Sequence, residues 1–145
     1  MRAVIQRVRS GRVSAGERIL AEIGLGYVIL LGIGPQDNIV KAQALAEKIA
    51  FLRIFEDDQG KMNRSILEVA GQAIVVSQFT LYADTRKGRR PSFTEAAPPV
   101  QARPLVDRFV ELLAAQGVPT QCGEFGAAML VEIQNDGPVT IWMEM

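Results

Sequence analysis

Apolar residues recur along this chain with two different periods, and together they predict a sheet-rich protein carrying two helices. Residues 2–9, built on Ala3-Val4-Ile5-Gln6-Arg7-Val8, read as a strand. Arg12 to Ser14 and Arg18 to Ile23 flank Ala15-Gly16-Glu17, a hairpin signal. Tyr27 to Ile33 is a continuous apolar run bounded by Gly24, Gly26, Gly32 and Gly34, the pattern of a strand buried on both faces. Ala42, Leu45, Ala46, Ile49 and Leu52 then follow the three-and-four spacing of a helix that Asp37 or Asn38 can cap and that ends near Arg53. Glu56 to Gly60 is a polar turn, and Ala73 to Leu81 reads as a strand, apolar at first and polar towards its end. Residues 84–99 have no period and read as a loop. Val106, Phe109, Val110 and Leu113 mark a second helix closed by Gly117, which either starts near Ala102 or is kinked by Pro104. Strands over Val118 to Cys122, Ala128 to Gln134 and Val139 to Met143 complete the chain, the last two joined by a turn at Asn135-Asp136-Gly137-Pro138. The class is α+β, and residues 1–145 form a single domain with no linker or repeat.

Composition sharpens this picture through what it lacks. The chain has no histidine and one cysteine, Cys122. A Ser/His/Asp triad, a Cys/His dyad, an imidazole base and a His-ligated zinc site are therefore impossible, and so is an internal disulfide. Cys122 stands among Thr120, Gln121 and Gly123, without a neighbouring cation to lower its pKa, and reads as an inert strand residue. Sixteen Lys and Arg balance sixteen Asp and Glu, so a polyanion must be met by a local patch. Neither glycine pair, at Gly24 and Gly26 or at Gly32 and Gly34, has the context of a dinucleotide fingerprint, and the Glu56-Asp57-Asp58 cluster lacks cation-loop spacing. No metal or cofactor is expected. No apolar run approaches the roughly 20 residues of a membrane span, and the arginine-rich start runs straight into strand, which points to a cytoplasmic protein.

Three segments remain as candidate chemistry. Arg86, Lys87, Arg89 and Arg90 lie within five residues, which suits a phosphate backbone or, equally, a solvated loop pairing with Asp84 and Glu95. Ser77-Gln78-Phe79-Thr80 places two hydroxyls and an amide at a strand end, where freed backbone N–H groups could stabilise an oxyanion; the plainer alternative is a strand end facing water. Gly137-Pro138 reads by default as a plain turn, and the dipeptide alone does not imply a cis bond.

Ser77-Gln78-Phe79-Thr80, Arg90-Pro91-Ser92-Phe93 and Asn135-Asp136-Gly137-Pro138-Val139-Thr140, with Ile5-Gln6-Arg7-Val8 at the start, closely resemble the D-aminoacyl-tRNA deacylases, the D-tyrosyl-tRNA deacylase family, along the whole chain. The resemblance implies a barrel-like mixed or antiparallel β-sheet core with about two helices. It also implies a homodimer whose active sites lie at the interface, with tRNA as partner and neither DNA nor a membrane. The reaction it implies is hydrolysis of the ester joining a D-amino acid, or glycine, to the terminal adenosine. Ser77, Gln78, Phe79 and Thr80 match the family's pocket motif. Gly137 and Pro138 match its Gly-cisPro motif, which enters the partner's pocket, with Arg7 and Asn135 in support. An aminoacyl ester is already reactive, and the ribose 2′-hydroxyl beside it can position water, so the missing histidine fits this chemistry. Phe79 and Thr80 would then act through backbone N–H groups, and Thr80 as a nucleophile would lack an activating base. A wall formed by the Gly137 and Pro138 carbonyls would exclude an L side chain and leave a D side chain pointing to solvent. Arg86, Lys87, Arg89 and Arg90 are the expected tRNA contacts.

Overall fold

The computed structural model describes all residues, 1–145, as a strongly bent mixed sheet with two helices packed outside it. β1 (Arg2–Ala15) is its spine, and β8 (Leu130–Glu144) pairs antiparallel with β1 along nearly its whole length. On the other edge of β1, β3 (Gly26–Gly32) pairs with residues 2–8 and β2 (Arg18–Ile23) with residues 11–15. β6 (Gln72–Ser77) runs parallel to β3, and β7 (Thr120–Cys122) runs parallel to β6. The curl brings β2 round to β7, where the Gln121 side chain donates to the Glu22 carbonyl at 2.8 Å and accepts from the Glu22 N–H at 3.1 Å. One amide thus replaces a missing ladder pair, and the barrel is nearly closed. A small hairpin of β4 (Phe55–Glu56) and β5 (Met62–Arg64) flanks the predicted polar turn.

The barrel-like core with two helices expected from the resemblance is the architecture observed. Inside the curl lies a cluster of Val8, Val13, Ala21, Ile23, Val28, Ile74 and Val76. Outside it, α1 (Ile39–Ala50) and α2 (Pro99–Ala115) cover Ile5, Tyr27, Ile29, Leu31 and Val75 with Leu45, Ile49, Phe109 and Leu113. β3 is buried on both faces, as its uninterrupted apolar run requires. Asn38 caps α1, accepting from the Val40 and Lys41 N–H groups at 3.0 and 3.1 Å. Asp37 does something else: its buried carboxylate takes the Met1 ammonium at 2.6 Å, Lys41 Nζ at 3.1 Å and the Gly34 N–H at 2.7 Å. Burial alone pushes this carboxyl's pKa up, but those donors outweigh burial and hold it below the usual range. Its stabilisation is therefore present above the unfolded pKa, near 3.9, and is lost as pH falls through the folded one. Asp37→Asn should cost about 3 kcal/mol at neutral pH, with the gap to wild type closing below about pH 4 in urea melts; parallel stability curves would contradict this.

Five expectations need correction. Residues 2–9 and 12–14 are one strand, because β8 pairs with β1 straight through Ser10-Gly11, Ser10 facing Gln134 and Gly11 facing Ile133; a Cβ at Gly11 would sit 2.6 Å from Val28 Cγ2. The strand over 73–81 stops at Ser77, and Phe79–Tyr82 form a 3-10 turn. α2 begins at Pro99 and continues through Pro104, so its start lies three residues ahead of Ala102; α1 ends at Ala50, short of Arg53. Asn135 to Pro138 do not join two strands by a turn: they are a bulge within β8, which resumes pairing with the same partner.

Candidate active site

β6 makes its last ladder contact where the Gln78 N–H donates to the Leu31 carbonyl at 2.8 Å. The chain then turns tightly over β3. A Cβ at Gly32 would lie 3.0 Å from the Gln78 carbonyl oxygen and 3.1 Å from Leu81 Cβ, so the turn needs a glycine beneath it. Leu81 N–H closes back onto Gln78 O at 3.2 Å and Ala83 N–H onto Thr80 O at 3.0 Å. The N–H groups of Phe79 and Thr80 open the 3-10 turn, where no preceding helical carbonyl is available, and neither donates to any protein acceptor. Two adjacent backbone donors are thus left facing outward.

Beside them, Gln78 Nε2 donates to Thr80 Oγ1. No carboxylate or amine contacts the Thr80 hydroxyl, so nothing there can activate it as a nucleophile. Phe79 is 56 % exposed and meets Phe93 edge to face at 5.0 Å, which ties the Arg90-Pro91-Ser92-Phe93 segment to the site. Ser92 is held in turn by paired backbone bonds with Asp84 at 2.7 and 2.9 Å. A cleft of about 270 Å³ opens against Ser77, Gln78 and Phe79, its far wall formed by Gly126, Ala127, Met129 and Val131. Those far-wall residues, three from the loop before β8 and Val131 from its start, were not singled out by the sequence, since small and apolar residues carry no local signal of chemistry.

The second motif sits elsewhere. Between the pairs Gln6 with Thr140 and Val8 with Asn135, one residue of β1, Arg7, faces the four residues Asp136 to Val139 of β8. Gly137 has φ +119° and the Gly137–Pro138 peptide bond is cis. Arg7 is 3 % exposed. Its Nε donates to the Asp136 carbonyl at 3.1 Å and its Nη1 to the Ile54 carbonyl at 2.7 Å, while the carboxylates of Glu56 and Asp136 approach Nη2 at 3.6 and 3.7 Å. Asn135 accepts from the Val139 N–H at 3.0 Å, across the neck of the bulge. Gly137 and Pro138 themselves are exposed.

Register shows that the two motifs do not meet within one chain. Ser77 pairs with Leu31, which pairs with Ala3, whereas the bulge lies opposite Arg7. Four residues along β1 is about 13 Å, and the path from β8 to β6 crosses three strand spacings of about 4.8 Å each. No residue of the bulge lines the cleft at Ser77 to Phe79.

The basic loop is partly neutralised. Arg86 clasps Asp84 through two bonds of 2.9 and 2.8 Å, and that pairing holds the Asp84 carboxyl down to about 2. Lys87, Arg89 and Arg90 are exposed and have no carboxylate partner. Nowhere do acidic residues and Cys122 gather into a group of three that could hold a metal ion, and no helix is long and apolar enough to cross a membrane.

The family model described as D-Tyr-tRNA(Tyr) deacylase matches residues 4–144. A D-aminoacyl-tRNA deacylase of Thermomicrobium roseum is 58% identical over 99% of this chain and 94% of its own length. One from Roseiflexus sp. is 56% identical over 99% and 93%. Among solved structures, a c-Myc DNA Unwinding Element Binding Protein superposes with a TM-score of 0.93 at 40% identity, covering 100% of this chain and 99% of that one. A probable eukaryotic D-amino acid tRNA deacylase shares the fold at a TM-score of 0.85 and 17% identity, covering 99% and 98%. A match across almost every residue, on a chain whose exposed turn and bulge coincide with the two motifs, settles the grouping: the chain belongs to the D-Tyr-tRNA(Tyr) deacylase family of hydrolases.

Proposed function

We propose that this enzyme hydrolyses the ester of D-aminoacyl-tRNA and of glycyl-tRNA in the cytoplasm, at two sites each shared between the subunits of a homodimer. The observation that carries the chemistry is the pair of unpaired N–H groups of Phe79 and Thr80 beside a hydroxyl that no base can activate. Water adds to the ester carbonyl, the developing oxyanion is held by those two donors, and collapse releases the amino acid while the 3′-oxygen of the ribose takes up a proton. The neighbouring 2′-hydroxyl positions the water, and Gln78 orients the ester or the terminal adenosine.

The dimer follows from the separation of the motifs. A bulge that cannot touch its own chain's Ser77–Thr80 turn can reach that of a second copy, where its two carbonyls would wall off the space an L side chain needs. β8 supports this reading, because its outer edge has no strand partner and it carries exposed Leu130 and Trp142. Lys87, Arg89 and Arg90, the unpaired cations beside Phe93, would meet the tRNA backbone. An Arg89→Ala, Arg90→Ala double variant should bind all tRNAs more weakly and lose about two units of salt slope in log–log binding plots; an unchanged slope would remove the loop from the interface.

The deciding experiment compares D-tyrosyl-, L-tyrosyl- and glycyl-tRNA, and a D-tyrosyl-tRNA ending in 2′-deoxyadenosine, with wild type and Thr80→Ala. The D and glycyl esters should fall and the L ester survive. The deoxy substrate should slow by about 100-fold or more, and Thr80→Ala should stay within about tenfold of wild type, the effect of one positioning hydrogen bond. A dead Thr80→Ala with a trappable acyl-enzyme would establish nucleophilic catalysis instead.

A further inference from the structure

The neck of the bulge is closed by a second, smaller network that does not involve Arg7. Asn135 Nδ2 donates to Gln6 Oε1 at 2.6 Å and to Thr140 Oγ1 at 3.0 Å, while its Oδ1 accepts from the Val139 N–H at 3.0 Å. Both amide hydrogens and the carbonyl are therefore used, and they tie Asn135, on the near flank of the excursion, to its far end at Val139 and Thr140 and to the strand beneath it at Gln6. Gln6 and Thr140 form the last regular pair of β1 and β8 before the register breaks, and Asn135 belongs to the first pair on the other side. An angle at which a loop leaves a sheet is set at such a junction, because everything beyond it moves as a lever.

We propose that Gln6 and Thr140 are positioning residues for chiral selectivity, fixing through Asn135 the direction in which Gly137 and Pro138 project. Neither side chain reaches the bulge tip, so neither touches substrate. Their effect is on where the wall stands, and a wall displaced outward admits an L side chain while still clearing a D one. The inference rests on the reading of the bulge as the stereochemical wall.

The test uses the full-length enzyme with D- and L-tyrosyl-tRNA under single-turnover conditions. Thr140→Val keeps the shape and removes the acceptor; Gln6→Leu does the same from the other strand; Thr140→Ser restores the oxygen. The D:L rate ratio should fall about tenfold in Thr140→Val and in Gln6→Leu, the loss of one positioning hydrogen bond, and recover in Thr140→Ser. Melting temperature is measured alongside, and Gln6→Leu stands in should Thr140→Val fail to fold. A wild-type ratio in both variants, or a drop in D hydrolysis with the ratio unchanged, overturns the proposal. A wild type that cleaves both enantiomers alike, or an active Gly137→Val, would instead overturn the wall and this proposal with it.

Discussion

Gly137→Val should lower the hydrolysis of D-tyrosyl-tRNA by more than about 100-fold, the largest loss expected of any substitution outside the Ser77–Thr80 turn. Two effects act together. At φ +119° a side chain is strained wherever it points, and a Cβ built there lies 2.8 Å from Val139 Cγ2 and 3.0 Å from Arg7 Nη2. Valine adds two methyl groups beyond that Cβ, which must displace Arg7 or project into the space proposed for the substrate. The check is a single-turnover rate with D-tyrosyl-tRNA, together with the mass of the assembly and its melting temperature. Wild-type turnover in a folded Gly137→Val variant would show that the bulge lies away from the reacting ester.

Arg7→Ala should be the second large effect, seen first in stability. Losing a guanidinium that is 3 % exposed leaves two carbonyls, Ile54 and Asp136, without their donor and the Glu56 carboxylate without its cation, while the Asp136 carboxylate keeps Arg9 at 2.8 Å. Removing one partner of such a buried set costs about 3 kcal/mol or more, which for a chain of this size lowers Tm by roughly 6–12 °C. Arg7→Lys keeps the charge but cannot span two carbonyls with one ammonium, so it should fall between the two. Because Arg7 also braces Gly137, the D:L ratio should drop in Arg7→Ala at temperatures where the variant is still folded. An unaltered Tm and ratio would mean that the bulge keeps its shape without this strut.

How far these groups could be read from the chain depends on how local their cause is. The buried β3, the Asn38 cap and the left-handed Gly117 beyond α2 each follow from a few neighbouring residues, and the sequence shows them. β8 runs through Asn-Asp-Gly-Pro, a turn in any local reading, only because β1 lies alongside it for its full length. That partner is more than a hundred residues away in sequence. The same holds for Ser10-Gly11 within β1. Of the proposed site, Ser77 to Thr80, Gly137, Pro138 and Arg7 were singled out through motifs, whereas the 3-10 turn that frees two N–H groups was not legible. Nor were Gln6 and Thr140 as partners of Asn135, since nothing near them in sequence says which side chains a register break will bring together.

The four-against-one bulge has a consequence for how this segment can vary. Past it, Val139 is buried, and Ile141 and Met143 pack against the main core, while Thr140, Trp142 and Glu144 point away. The four residues of the excursion pair with nothing on β1, so a residue lost or gained among them changes the size of the bulge and leaves the pairs on either side of it, Gln6 with Thr140 and Val8 with Asn135, where they are. A residue lost or gained beyond Thr140 has no such outlet: side chains alternate along the paired strand, and one step would turn Trp142 and Glu144 inward and Ile141 and Met143 out. The excursion is therefore a place where chain length can change without disturbing the ladder of the barrel, and the strand that follows it is not.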